Sequence, residues 1–409
     1  MRRAVTTLLI PEGLLLLGAA AAVRWPALLA PAQPVPPLLP AVVGTAGAVL
    51  AIRFRRSGVL LGLVALGATG AALYADGRAG GLRGALAILV PVNLLAYALL
   101  PERGLTGAAA FRRAAALTAQ AAMLLVLVRT GQQHLLDPLA RRTFTAPLLP
   151  PGVAVGDLAA LASAGAMTVL VVLLLRRPDP LARGFLWAIA ASLLAFLTSP
   201  GLDVGGLPAP TFLLTMAALS LVLALVESAH ALAYRDALTG LPNRRAFDDA
   251  LRQLDGPFTI ALADVDHFKA VNDAHGHEVG DQVLRLVATH LAEVGGGGRA
   301  FRYGGEEFAL LFPSRAAGDI LGALEAVRAA VAGARFTLRG TDRPRRRPKQ
   351  PRRRSGATQL AVTISIGVAQ RADGDPGPAV VVERADAALY RAKEGGRNRI
   401  ESGKAARGA

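Results

Sequence analysis

A chain of 409 residues that is 53% hydrophobic and only 18% charged is too apolar for an ordinary soluble protein and long enough for two or three domains. It has no cysteine, which excludes disulfides and cysteine-based zinc sites, and its six histidines are scattered rather than clustered. The formal charge of +16 is almost wholly arginine, since Lys269, Lys349, Lys393 and Lys404 are the only lysines; with abundant Ala, Gly and Pro this is the signature of a GC-rich genome, and no nucleic-acid partner is read from it.

The apolar residues crowd the first 230 positions. Met-Arg-Arg followed by an apolar run superficially suits a signal peptide, but seven more apolar segments follow, so the run reads as a first anchor. A spanning helix needs about 20 mostly apolar residues. Eight segments qualify, with soft edges: 6–23, 36–52, 58–76, 84–101, 114–128, 155–175, 184–200 and 209–229. The expected first half is therefore an all-α, multi-span membrane domain over residues 1–229.

Basic residues accumulate on the cytoplasmic side of a membrane. With the N-terminus inside, eleven fall there: Arg2, Arg3, Arg53, Arg55, Arg56, Arg103, Arg112, Arg113, Arg176, Arg177 and Arg183. Six fall outside: Arg24, Arg78, Arg83, Arg129, Arg141 and Arg142. This predicts an inner-membrane protein whose second half lies in the cytoplasm. Within the spans Glu12, Asn93, Gln120 and Asp157 stand out. Intramembrane ionisable groups are functional candidates, but Glu12 and Asp157 lie near predicted span ends and are expected at the interface. The outer loop 129–154, with Gln132, Gln133, His134 and Asp137, reads as a solvated connector.

The last span is expected to continue as a helical stalk over 226–236. Leu225, Ala229 and Leu232 offer a short seam for pairing two copies, well short of a sustained heptad. Gly240 and Pro242 break this helix, and Asn243 suits the N-cap of the next.

From Pro257 the pattern changes. Phe258–Ala263 reads as a buried strand ending at Asp264-Val265-Asp266, followed by a short helix over His267–Asp273 and a longer one carrying Val283, Leu284, Val287 and Leu291. Phe301–Tyr303, Gly304–Glu307 and Phe308–Phe312 read as strand, tight turn and strand. A helix near 316–332, a strand Val362–Ala369, a helix near 379–393 and a short final strand follow. The expectation is an α+β domain over 236–403, a sheet backed by helices.

Asp264 at a strand end and Glu306 in a hairpin turn converge at one end of that sheet. Carboxylates so placed suit Mg²⁺, which binds through one or two carboxylates plus substrate phosphates. Two such ions can activate an attacking hydroxyl and neutralise a leaving pyrophosphate. Gly304 and Gly305 lack a β-carbon, so a triphosphate can approach their N–H groups closely.

Gly304-Gly305-Glu306-Glu307-Phe308 resembles the signature of the GGDEF family in its GGEEF form. Asp236–Arg245, Asp264–Asp281, Val362–Val368 and Ala385–Asn398 resemble further blocks of that family in the correct order, so the resemblance covers about residues 234–402. It implies a nucleotide-cyclase-palm-like fold and a diguanylate cyclase that condenses two GTP into cyclic di-GMP, with two Mg²⁺ per site (Mn²⁺ as a substitute) and a homodimer. Carried over by position, it assigns metal binding to Asp264, the Val265 carbonyl and Glu306, and guanine recognition to Asn272 and Asp281. An Asn amide both donates and accepts, and a carboxylate accepts from the guanine N1–H and N2–H₂. Lys393 and Arg397 would hold the terminal phosphates, with Phe268 and Lys269 lining the pocket. For Glu307 two roles stay open, deprotonation of the 3′-hydroxyl and support of the turn. His275 and His277 read as turn residues, Asp236 and Asp386 as structural.

Two stretches depart from the family pattern. Where it often carries an inhibitory Arg-x-x-Asp product site, this chain has Gly295-Gly296-Gly297-Gly298. Arg339–Arg354, part of an insertion over 339–357, holds nine basic residues and one acidic; a solvated loop, attraction to anionic lipid and RNA binding are its three readings. The rivals to a cyclase are a catalytically inactive GTP- or partner-binding receptor module and a transporter with a regulatory tail.

Overall fold

The computed structural model describes residues 11–25, 38–76, 80–102, 104–142, 155–199, 201–337 and 359–403. The chain divides into two units, Met1–His230 and Ala231–Ala409.

The first unit is built from helices α1 (Glu12–Arg24), α2 (Leu39–Arg53), α3 (Ser57–Asp76), α4 (Gly80–Leu99), α5 (Ala108–Arg129), α6 (Asp157–Arg176), α7 (Pro180–Leu197) and α8 (Ala209–Tyr234). Each matches one of the expected apolar segments. Six of them, α3 to α8, are long and apolar enough to cross a membrane. The described parts of α1 and α2 have 13 and 15 residues, and thirteen residues at 1.5 Å each make a helix of about 20 Å, short of a hydrocarbon core of about 30 Å. Asp179 caps α7 by accepting from the Leu181 N–H at 3.2 Å, and Pro180 occupies the first helical position, where its missing N–H goes unneeded. Of the six, α8 is the most buried and α5 the least.

Several polar side chains do more than the sequence led us to expect. Glu12, the first residue of α1, is fully buried against the protein, and its Oε2 lies 2.9 Å from Arg183 Nε. Arg183 also pairs with Glu227, so three helices, α1, α7 and α8, are tied near their ends by one ion cluster. Arg83, expected in an outer loop, lies inside α4 and is buried. Its Nη2 donates to the Ala195, Phe196 and Thr198 carbonyls, satisfying the orphan acceptors at the C-terminus of α7. Arg113, inside α5, donates to Ser57 Oγ at 3.3 Å and the Pro101 carbonyl at 2.9 Å. Asn93 Nδ2 donates to Gln120 Oε1 at 2.7 Å and joins α4 to α5.

The connector after α5 is not simply solvated. Residues Gln133–Ala140 form a 3₁₀ helix with Leu136 buried, packed so closely on α4 that a β-carbon on Gly84 would lie 3.0 Å from the Ala140 nitrogen; residues 143–154 lie outside the described ones. Leu225 is buried in the core of the first unit, so the pairing seam expected along the stalk is not one continuous exposed face. The Arg-rich stretch 339–357 also lies outside the described residues.

The second unit is a five-stranded sheet in the order β4-β5-β3-β8-β9, formed by β3 (Phe258–Val265), β4 (Arg299–Arg302), β5 (Glu307–Pro313), β8 (Ile364–Gln370) and β9 (Ile400–Ser402). Neighbours are antiparallel except β8 and β9. Two short pairs stand apart from it: β1 (Asp203–Val204) with β2 (Leu207–Pro208), in the first unit, and β6 (Phe336–Thr337) with β7 (Gln359–Leu360). The helices are α9 (Arg244–Arg252), α10 (Phe268–His275), α11 (His277–Ala292), α12 (Ala317–Gly333) and α13 (Pro378–Glu394). Asn243 caps α9 as expected, accepting from the Ala246 N–H at 3.1 Å.

Every residue of β3 is buried, because its two faces feed two cores. Ala261, Ala263 and Val265 join a cluster with Val283 and Val287 of α11 and Leu324 of α12. Phe258, Ile260 and Leu262 join Phe247 of α9 and Val381, Ala385 and Leu389 of α13. This is the period-2 alternation of a strand covered on both sides.

Helix α13 lies directly on β8 at Gly367, where a β-carbon would sit 2.1 Å from the Leu389 nitrogen and 2.2 Å from the Ala385 oxygen. Both obstacles are backbone and cannot rotate away. Gly367→Ala is therefore expected to destabilise the second unit by about 3 kcal/mol, read as a drop of roughly 6–12 °C in its thermal transition. An unchanged transition would mean that α13 shifts without strain.

Candidate active site

Alternation along β3 puts Asp264 on the face of Ile260 and Leu262, towards α13. Lys393, in the last turn of α13, reaches it with Nζ 3.0 Å from Asp264 Oδ2. On the other side of β3, the Tyr303 and Gly304 N–H groups both donate to the Glu307 carbonyl, at 2.8 and 3.0 Å, and close the hairpin between β4 and β5. The Val265 N–H donates to the Glu306 carbonyl at 3.4 Å, which sets the turn beside the end of β3.

Burial pushes the Asp264 carboxyl above its ordinary range; the hydrogen bond and charge of Lys393 pull it down, and the charges of Glu307 and Asp266 push it up again. Glu306 is raised for the same reasons, burial first and repulsion from Asp264 second, with Lys393 opposing. One ammonium thus faces more negative charge than it neutralises, and a cation taken up here would relieve the excess. Among the described residues no group of three or more metal-ligating side chains is found. Mg²⁺ does not need one, since one or two carboxylates with substrate phosphates and water complete its shell. Asp264, Glu306 and the Val265 carbonyl fit that donor set.

The two turn glycines differ. A β-carbon on Gly304 would lie 2.4 Å from Glu307 Oε2, whereas one on Gly305 would meet nothing within 4 Å. The Glu307 carboxylate folds back over Gly304 and would have to swing away from a side chain there, whereas Gly305 leaves open space.

Asn272 stands on α10 and Asp281 on α11, two helices turned about Gly276, whose φ of +80° only glycine adopts freely. Phe268 is buried. Gly280, just before Asp281, would place a β-carbon 2.0 Å from Asn272 Oδ1 and 3.1 Å from Phe268 Cζ, so the Asn272 amide lies in the space a side chain there would fill. Gly280→Ala is expected to displace the amide; if Asn272 reads guanine, as the resemblance implies, kcat/KM for GTP falls about 10- to 100-fold, and unchanged kinetics would show that Asn272 does not read the base. Lys269 is exposed, as are His275 and His277 on either side of Gly276. Arg397 is exposed on the loop after α13, with a φ of +63°.

Three residues of the site escaped the sequence reading. Gly280 is one. Arg302 is another: Nη1 lies 2.8 Å from Asp236 Oδ1 and Nη2 donates to the Gly305 carbonyl at 2.8 Å, while its own N–H donates to the Pro242 carbonyl at 2.8 Å. The Asp236–Asn243 turn is thereby docked on the hairpin. Burial raises the Asp236 carboxyl, but hydrogen bonds from Thr239 and Arg302 outweigh it and hold the group below its ordinary range. An arginine directly before Tyr-Gly-Gly was the available signal. The third is Asp266, which is buried and fully hydrogen-bonded.

Residues 233–399 match the family described as "Diguanylate cyclase, GGDEF domain". The response regulator PleD of Caulobacter vibrioides is 39% identical over 183 residues, which is 43% of this chain and 37% of that protein. The diguanylate cyclase VdcA of Vibrio cholerae is 38% identical over 169 residues, 40% of this chain and 45% of that protein. The chain spans less than half the length of these relatives. A solved structure of the coiled coil and GGDEF domain of DgcB from Caulobacter crescentus in complex with c-di-GMP is 38% identical, covering 43% of this chain and 89% of that one, with a TM-score of 0.37.

Proposed function

We propose that this chain, which carries a GGDEF domain over residues 233–399, is a membrane-bound diguanylate cyclase that condenses two GTP into cyclic di-GMP and two pyrophosphates. The observation that carries the reading is the pair of carboxylates at one sheet end, Asp264 and Glu306, both raised above their ordinary range beside a single lysine. In a domain of this family, that is a site built for cations and phosphates.

Asp264, Glu306 and the Val265 carbonyl would hold Mg²⁺, which supplies charge neutralisation at the phosphates and activation of the 3′-hydroxyl. Asn272 and Asp281 hold guanine and so fix the nucleotide's direction. Lys393, a compact charge, and Arg397, a planar fork, hold the terminal phosphates. Gly305 leaves the hairpin turn open to the triphosphate. One site holds one GTP, and the product needs two phosphodiester bonds between two guanosines. Two copies must therefore face each other, each 3′-hydroxyl in line with the partner's α-phosphate, and the rate comes from positioning and charge neutralisation. The first unit, which among the described residues has six helices long and apolar enough to span, anchors this domain to the inner membrane.

Full-length protein in detergent, incubated with GTP and Mg²⁺, is expected to yield cyclic di-GMP and pyrophosphate by nucleotide chromatography. GTP bound but unconverted would favour the inactive receptor module. A second expectation concerns control. The stretch 295–298 is all glycine, with Gly296 and Gly297 at φ +68° and +78°, and offers neither the arginine nor the aspartate of an inhibitory product site. Initial rates should not fall when cyclic di-GMP is added; submicromolar inhibition mapping to this loop would refute the point.

A further inference from the structure

We propose that Asp266 is a positioning residue, locking the loop that follows α13, and with it Lys393 and Arg397, against the strand end that carries Asp264. The inference rests on the cyclase reading and deepens it, because it names what holds the phosphate-binding cations in register with the metal-binding carboxylates.

Asp266 is 5% exposed. Its Oδ1 accepts from Ser365 Oγ at 2.7 Å, and its Oδ2 from Thr363 Oγ1 at 2.6 Å and the Asn398 backbone N–H at 3.0 Å. Two of the donors belong to β8 and the residue before it, the next strand of the same sheet. The third is on the loop beyond α13, 132 residues away. The carboxylate therefore joins two structures that chain connectivity leaves apart.

That loop needs holding. Arg397 and Asn398 have φ of +63° and +48°, two consecutive side-chain-bearing residues in the left-handed region, which persists only where the surroundings impose it. The Arg397 N–H donates to the Ala392 carbonyl at 3.0 Å and the Arg399 carbonyl accepts from the Ile366 N–H at 2.9 Å. Between these anchors, the Asn398 N–H goes to Asp266. Arg328 on α12 donates to the Asn398 carbonyl at 3.3 Å and to the Asn398 side-chain oxygen, so it ties the same residue from another side, whereas Asp266 holds its backbone N–H. Lys393 reaches Asp264 only while α13 ends where it does, and misplacing a charge by about 1 Å is worth up to roughly a hundredfold in rate.

The plainer role would be to staple β3 to β8. The two separate because that staple runs through Thr363 and Ser365, whereas the loop lock runs through Asn398. In the full-length chain, Asp266→Ala is expected to weaken GTP binding about 10- to 100-fold, the usual effect of removing a residue behind the ligands. Binding of GMP, which lacks the terminal phosphates, should stay as it was. Asp266→Asn should restore GTP affinity, since a carboxamide oxygen accepts from the Asn398 N–H while its NH₂ donates to Ser365 Oγ. Thr363→Val with Ser365→Ala should leave GTP affinity unchanged. Equal loss of GMP and GTP binding, a GTP loss in the Thr363/Ser365 variant, or no rescue by asparagine would each overturn the proposal. If Asp266→Ala does not fold, the other two variants still decide it. Failure of the cyclase reading shows separately, as an unsubstituted chain that binds no GTP.

Discussion

Replacing Glu306 with glutamine should cut the rate of cyclic di-GMP formation by about a thousandfold or more, since loss of a charge worth several kcal/mol at the transition state acts exponentially on the rate. Asp264→Asn should do the same. Neither change is expected to lower thermal stability. The ionised form of Glu306 is disfavoured by burial and by Asp264, so a neutral amide of the same shape removes repulsion from the folded state. A site held at such a cost to the fold is the usual mark of function. A folded variant with near-normal turnover would show that Glu306 is not a metal ligand, and one that unfolds would overturn the stability expectation.

The second large effect concerns the base. In the proposed site Asp281 accepts hydrogen bonds that adenine cannot offer: adenine has no N2 amine, and its N1 carries a lone pair instead of a hydrogen. A site built to accept from a substrate group rejects the analogue lacking it by about ten-thousandfold. The unsubstituted chain should therefore prefer GTP over ATP by that order in kcat/KM. Asp281→Ala should leave a preference below about a hundredfold, the range that shape alone supplies. Measured with both nucleotides, an unchanged preference would move base recognition away from Asp281.

The strands and helices of the second unit could be read from the sequence because each announces itself locally. Phe258–Val265 alternates between two cores, Asn243 caps a helix, and Gly304-Gly305 sits between two apolar runs. Asp264 and Glu306 were legible for the same reason, one at a strand end and one in a turn. What stayed hidden are contacts between residues far apart in sequence. Asp266 meets Asn398 across 132 positions, and Glu12 meets Arg183 across 171. No periodicity encodes such pairs. Arg83 and Arg183 were assigned to loops because charge is costly in an apolar span. Each instead finds partners on other helices, carbonyls at the end of α7 for Arg83 and carboxylates of α1 and α8 for Arg183, that offset the desolvation. Gly280 and Gly367 were illegible for a related reason: the need for no side chain there is set by Asn272 and by the backbone of α13.

The most direct measurement is a crystal structure of the full chain with Mn²⁺ and a GTP analogue whose bond between the α- and β-phosphates cannot be broken. The anomalous signal of the metal should lie between the carboxylates of Asp264 and Glu306, with guanine against Asn272 and Asp281 and the terminal phosphates on Lys393 and Arg397. Metal or base found elsewhere, with those six side chains untouched, would contradict the account.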